Sequence, residues 1–397
     1  MHGFEYENNE LVSDGVPLKK LAEEFGTPLY VYSQSVLNER IRLIKNSLGR
    51  IGKIFYAVKA NNNPYILSII AQAEFGADTV SIGEMQIALK AGFAPENIAF
   101  SGVGKRKDEL QFAIEKGIFI NAESIEEIAL IASIRQGVRI GIRLNPEISV
   151  PTHKYITTGS RLNKFGIPFE RAVYAFKFAR NSGLVPEAIH VHIGSQIVKL
   201  KPYYETIKKV LSLRDKLRMK RIEIKRIDLG GGFGISYKDE KEFPVEEFAK
   251  HVEKLKEEEI EFAFEPGRFI VGPSGALLTR VLYRKFCMKK FVIVDAGMND
   301  FIRPALYGAY HRAANCTKRG RKTIVCDIVG PVCESGDFLA LRRKIERPEQ
   351  GDCIAIMDAG AYGFSMASNY NLRPKPAEVI VENGKAFVIR EREKFNF

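Results

Sequence analysis

Between residues 54 and 266, short runs rich in β-branched and aromatic residues alternate with longer segments whose apolar positions recur at helical spacing. A short apolar run bounded by Gly, Asn or Pro reads as a strand, and an i, i+3, i+4, i+7 recurrence reads as an amphipathic helix. The pattern predicts strands at IFYAVKA (54–60), ADTVS (77–81), NIAFS (97–101), GIFINA (117–122), VRIGIRL (138–144), AIHVHIG (188–194), IKRIDLG (224–230) and IEFAFE (260–265). Between them PYILSIIAQAEF, EMQIALKAG, KDELQFAIEKG, SIEEIALIAS and FAKHVEKLKEE carry the helical pattern. This repetitive order of strands and helical intervals predicts a (β/α)8 barrel of the TIM type, with a doubly wound open sheet as the competing α/β arrangement.

The texture changes after Arg268. FVIVDAG, KTIVCDIVG, DCIAIMDAG, AEVIVENG and KAFVIRE are strand-like and punctuated by Gly, Pro and Asn, which predicts a C-terminal β-sandwich or β-barrel domain. An early strand, TPLYVY (27–32), precedes the barrel and is expected to join that domain. The expected division is an N-terminal segment 1–32 packing with the β domain, a barrel over 33–268 and the β domain over 269–397. No low-complexity linker separates them.

Composition narrows the class of protein without changing the fold. An apolar fraction of 45% over 397 residues, with Phe and Tyr but no Trp, is that of an ordinary globular protein with a large core. The polar opening MHGFEYENNE and the lack of a long apolar run predict no membrane association and a cytoplasmic location. Five cysteines, an odd number with no CxxC pair, argue against a disulfide framework or a zinc site, and no metal is expected. The net charge of +12 is dispersed among acids, as in KDEKEFPVEEFAKHVEKLKEEEIE, so no nucleic-acid partner is expected. The compact basic run KRGRK, residues 318–322, reads as a turn in the second domain.

In such a barrel the chemistry sits at the C-terminal ends of the strands. There the first strand ends in Lys59, the sixth ends at His192 with Ser195 just beyond, the seventh runs into Gly230, Gly231 and Gly232, and the eighth ends in Glu265, Pro266, Gly267 and Arg268. Lys59 lies in the apolar run FYAVKAN, where desolvation favours the neutral, nucleophilic amine that attacks an aldehyde; a lysine snorkelling to solvent is the alternative. DLGGGFG lets backbone N–H groups approach a phosphate, although a plain glycine turn has the same composition. It differs from a dinucleotide fingerprint in coming late and lacking an opening βαβ unit. Glu265 suits the protonated nitrogen of a pyridine cofactor, or pairs only with Arg268 three residues on. His190 and His192 share a face, and one of them could be a core histidine; with no third ligand they do not form a metal site.

Together these residues resemble the fold-type III pyridoxal-phosphate decarboxylases, and specifically the diaminopimelate decarboxylase family. The resemblance runs from TPLYVY to IREREK through YAVKAN, GADTVSIGE, FSGVGK, NKFGI, HIGSQ, DLGGGFG, EPGR, VDAGMNDFIRPALYGAYH, GPVCESGD, GAYGFSMASNYN and RPKPAEV, in family order. It implies that Lys59 holds pyridoxal 5'-phosphate as a Schiff base, that His192 stacks on its ring and that Asp78 lies near the ring. Ser195, Gly230 to Gly232 and the EPGR residues Glu265, Pro266, Gly267 and Arg268 would bind the phosphate region and the ring nitrogen. Tyr362 would contact cofactor and substrate. Cys333 would be the acid that protonates the carbanion, reaching across from a second subunit and implying a homodimer with shared active sites. Arg268, Arg303 and Tyr307 would hold the distal carboxylate of meso-2,6-diaminopimelate, and Glu334 its distal ammonium.

The implied activity is decarboxylation of that substrate to L-lysine and carbon dioxide. Related readings on the same barrel are a decarboxylase of ornithine, arginine or carboxynorspermidine, or a racemase. A catalytically dead regulator of the same fold is a third, which intact Lys59, Glu265 and Cys333 oppose. Two departures from the family pattern, SRLNKFGI ahead of the sixth strand and a short tail after IREREK, touch none of these groups.

Overall fold

The computed structural model describes residues 3–148, 163–255 and 259–395. Part of the SRLNKFGI segment, residues 160–162, and the end of FAKHVEKLKEE, residues 256–258, lie outside the described residues. The chain forms two compact units: one of residues 42–235 and 241–267, the other of residues 1–41, 236–240 and 268–397.

The first unit is the barrel. Its strands are β1 (Gly52–Ala57), β2 (Gly76–Thr79), β3 (Ile98–Phe100), β4 (Phe119–Ala122), β5 (Arg139–Asn145), β6 (Val185–Val191), β7 (Arg226–Asp228) and β8 (Glu261–Phe264). Each pairs in parallel with the next, and β8 pairs with β1, with Phe264 opposite Ile54, so the sheet closes. The open-sheet alternative is thereby excluded. A two-residue strand, Ile167–Pro168, adds to the end of β5 and was not predicted. The strands are almost wholly buried, as expected when a closed parallel sheet is covered by helices.

Local chemistry sets the element ends. Ser81 and Ser124 cap the helices Ile82–Lys90 and Ile125–Ile134, each hydroxyl accepting from the backbone N–H three residues on. Gly117, at φ 74°, ends the helix Lys107–Lys116 in the left-handed conformation glycine adopts without penalty. β1 stops at Ala57, so Lys59 stands on the 3-10 turn Val58–Ala60 that follows.

In the second unit, Leu29–Ser33 pairs antiparallel with the long strand Gly275–Phe286 and parallel with Ala377–Glu382. The early TPLYVY segment is thus an inner strand of this sheet. Its alternating residues are buried on both sides: Leu29 and Val31 pack with Ala276, Leu278, Val379 and Val381, while the Tyr30 and Tyr32 hydroxyls donate to the Asp300 carbonyl and the Glu378 carboxylate, both at 2.6 Å. All five cysteines are free thiols, with Cys316 and Cys353 neighbours in the same core. The basic KRGRK run is the loop leading into the strand Thr323–Val329, tied down by acids. The backbone N–H groups of Arg319 and Arg321 donate to Glu346, and the Arg321 guanidinium pairs with Glu349 and Asp352. No helix among the described residues is long and apolar enough to cross a membrane.

Candidate active site

The C-terminal ends of the barrel strands gather Lys59, Asp78, His190, His192, Asp228 and Glu265. Lys59 Nζ lies 2.8 Å from Asp78 Oδ2; the carboxylate is fully buried, whereas the lysine side chain is 37% exposed. The amine is therefore held by an ion pair at an open mouth, not by the apolar enclosure expected from FYAVKAN. Burial and the nearby Glu265 raise the pKa of Asp78, and Lys59 opposes them.

Glu265 follows the last residue of β8 and lies 3.3 Å from His190 Nε2. Burial alone would raise its pKa, but the charge and hydrogen bond of His190, with Lys59, outweigh it and hold the carboxyl well below the usual range. The same pairing raises His190 against the burial that would lower it. Asp228, also buried, is pushed the other way, to about 7, by burial and then by Glu265. Two carboxyl groups in one cluster thus diverge: Glu265 keeps its charge and Asp228 tends to keep its proton. The ligand-type atoms of His190, Asp228 and Glu265 lie within 4.8 Å of one another, and the charge pairing just described accounts for their convergence.

His192 Nδ1 accepts from the Gly231 N–H at 3.1 Å, which puts any ring proton on Nε2. Burial, then the cations Arg143 and Lys59, lower it to about 3, so the ring is neutral. The glycine run is required by close approach. A Cβ on Gly231 would come 2.0 Å from the Glu265 carbonyl oxygen, and one on Gly230, at φ 67°, would come 2.6 Å from His192 Nδ1. The Gly230 N–H donates to Asp228 Oδ1 at 2.8 Å and the Glu265 N–H to the Gly230 carbonyl, so the bend is tied to both neighbouring strand ends.

A second constellation lies in the other unit. Arg268 and Arg303, both buried, donate through Nη1 to the hydroxyl of Tyr237 at 2.6 and 3.0 Å. Arg268 also stacks over the Tyr362 ring, 4.9 Å from its centroid, and Tyr307 acts on it electrostatically. Tyr362 has φ 56°, a conformation that costs a bulky residue about 1–3 kcal/mol and is common at ligand sites. Its glycine neighbours explain GAYG: a Cβ on Gly360 would come 1.9 Å from the Val271 carbonyl oxygen, and one on Gly363 would come 2.4 Å from that of Ala359. Cys333 and Glu334 stand on an exposed loop, where the Cys333 N–H donates to Asn371 and Glu334 hydrogen-bonds Tyr370. Ser195 is half-buried, on the turn after β6.

Sequence reasoning did not single out Asp228, Tyr237 or His311, and left open whether His190 is a core histidine. Alternation along β6 was the available signal for His190, but its partner Glu265 is 75 residues away.

A family model described as pyridoxal-dependent decarboxylase, pyridoxal binding domain, matches residues 34–272. With the closed barrel and the lysine, imidazole and carboxylate at its strand ends, it defines the class: a pyridoxal-dependent decarboxylase of the barrel type. Curated relatives include the diaminopimelate decarboxylase of Aquifex aeolicus, 44% identical over 99% of this chain and 96% of the relative. Among solved structures, diaminopimelate decarboxylase from Helicobacter pylori complexed with L-lysine superposes with a TM-score of 0.91 at 43% identity, covering 95% of this chain and 97% of that one. The enzyme from M. jannaschii in co-complex with L-lysine gives 0.93 at 36% identity, covering 98% and 95%. The chain belongs to the diaminopimelate decarboxylase family, and its cofactor is pyridoxal 5'-phosphate.

The residues present fit that cofactor. Glu265 Oε1 is buried and, beyond its 3.3 Å ion pair with His190 Nε2, makes no hydrogen bond among the described residues, an acceptor suited to a protonated ring nitrogen. Bound there, the protonated ring is an electron sink for the pair left when a carboxyl group departs.

Proposed function

We propose that the chain decarboxylates meso-2,6-diaminopimelate to L-lysine and carbon dioxide. Lys59 is the amine that holds the cofactor, with Asp78 orienting it. His192 lies against the ring as a neutral imidazole, and Glu265, kept anionic by His190, holds the proton on the ring nitrogen. Ser195, Gly232 and the Pro266, Gly267 and Arg268 segment take the phosphate, while Gly230 and Gly231 serve by lacking a Cβ. Arg268, Arg303 and Tyr307 bind the distal carboxylate, Glu334 the distal ammonium, and Tyr362 touches both cofactor and substrate. Cys333 Sγ supplies the proton that replaces the lost carboxyl group. Its exposed loop supports delivery from a second copy, so the active form is a homodimer, working in the cytoplasm.

The observation that carries the substrate is the pair of buried guanidiniums on one phenol. Two cations withdrawn from water call for an anion, and the carboxylate retained by lysine supplies it. Ornithine, arginine and lysine, reacting at their α-carbon, offer no carboxylate at the far end. A site built for a charged group rejects an analogue lacking it by roughly 10⁴-fold.

Purified protein supplied with pyridoxal phosphate is assayed for carbon dioxide release from meso-diaminopimelate, ornithine, arginine and lysine. The expected result is L-lysine from the first, with kcat/KM about 10⁴-fold above the others. Comparable turnover of any of the other three contradicts the substrate assignment.

A further inference from the structure

The cluster around Arg303 contains two residues to which no role has been given. His311 is fully buried, with Nε2 2.8 Å from Arg303 Nη1 and Nδ1 2.8 Å from the Met357 carbonyl oxygen. A guanidinium only donates and a carbonyl only accepts. Both contacts are satisfied by one species, the neutral imidazole carrying its proton on Nδ1. Its ring is held edge-on between Phe301, centroids 4.6 Å apart at 75°, and Tyr237, 4.9 Å apart at 71°. Burial, followed by the charge of Arg303, lowers the pKa of His311 far below its ordinary value, in keeping with a neutral ring.

The consequence falls on Arg303. Its Nη1 carries two protons, and both are committed, one to His311 Nε2 and one to the Tyr237 hydroxyl at 3.0 Å. What remains is the edge formed by Nε–H and Nη2, and the buried Nε has no hydrogen-bond partner among the described residues. That edge presents two parallel N–H groups, the fork that matches a carboxylate. Tyr237 is constrained likewise. Its oxygen accepts from Arg303 and from Arg268, so both lone pairs are used and its O–H is left to donate.

We propose that His311 and Tyr237 are specificity-determining residues of this subsite: together they anchor Nη1 of Arg303 so that its Nε–Nη2 edge faces the distal carboxylate of the substrate. His311 acts through Arg303 and is a positioning residue, whereas the Tyr237 O–H is a further donor to the same carboxylate. The inference rests on the reaction proposed above.

The test compares His311→Phe, His311→Gln and Tyr237→Phe with the parent holoenzyme. Visible absorption of the bound cofactor and Tm establish that each variant is folded and loaded. The readouts are KM and kcat for meso-diaminopimelate, and the inhibition constants of L-lysine, which carries the carboxylate, and of 1,5-diaminopentane, which lacks it. Misaiming a binding group costs on the order of 10- to 100-fold. In His311→Phe, KM and the lysine constant therefore rise by about that factor, kcat stays within about threefold, and the diaminopentane constant is unchanged. His311→Gln, whose amide oxygen can accept from Arg303, recovers part of the loss.

An unchanged lysine constant in folded His311→Phe, or an equal rise for diaminopentane, overturns the inference. Should His311→Phe fail to fold, Tyr237→Phe decides by the same pattern, since it removes a single hydroxyl. Failure of the parent itself to turn over meso-diaminopimelate strikes the proposed reaction instead, and is seen without any variant.

Discussion

Lys59→Ala protein should purify without the visible absorption of covalently held pyridoxal phosphate, and should turn over meso-diaminopimelate at least about 10³-fold more slowly than the parent. The amine, the nucleophile in the function proposed above, lies 2.8 Å from a fully buried carboxylate that fixes its position. Once the lysine is gone, Asp78 has lost the cation that opposes its raised pKa and takes up a proton. The fold therefore survives the loss of charge better than the activity does. Absorption spectra and steady-state rates on the same preparation check both parts, and a parent-like spectrum in the variant would show that another amine holds the cofactor.

Glu265→Gln should keep its cofactor and lose about 10²–10³-fold in kcat, the usual effect of removing one preorganised charge from the reacting centre. The side chain is isosteric, so the change is electrostatic. It also alters stability with a definite pH signature. Glu265 has a depressed pKa, so its contribution is present above about pH 4.3, where the unfolded carboxyl ionises, and is lost as pH falls through the folded value. His190 has a raised pKa, so its contribution is complete below about pH 6.5 and is lost as pH rises through the folded value. The deficit in Tm of the variant against the parent is therefore largest between about pH 4.5 and 6.5 and shrinks on either side. A deficit independent of pH would mean that the pair is not ionised in the folded protein.

The parts of this molecule legible in its sequence are those set by local patterns. All eight barrel strands were found because β-branched runs ending in Gly, Asn or Ser are local signals, and they also placed Glu265 and the glycine run at strand ends. Lys59 was read as ending a strand, although the chain has already turned at Val58. The run continues apolar through that turn, so hydropathy carries no mark of it. The two-residue strand Ile167–Pro168 is too short to make a pattern.

What the sequence hid is pairing over distance. Tyr237 sits in the polar stretch SYKDE and looks like surface loop, yet it is buried and receives two guanidiniums from residues 31 and 66 positions away. His311 closes the family motif as a lone histidine, and Met357, which fixes its tautomer, is 46 residues further on. The glycine run shows the converse. It was read for what phosphate needs, while the structure adds a second cause, the Glu265 carbonyl lying where a Cβ on Gly231 would be.

In the proposed function a single amine, that of Lys59, meets the cofactor at the mouth of the barrel. Reducing the holoenzyme with borohydride and mapping its peptides by mass tests that most directly. The pyridoxyl group should be found on the peptide containing Lys59, in a yield matching the cofactor bound; recovery on any other lysine, with the Lys59 peptide unmodified, would contradict it.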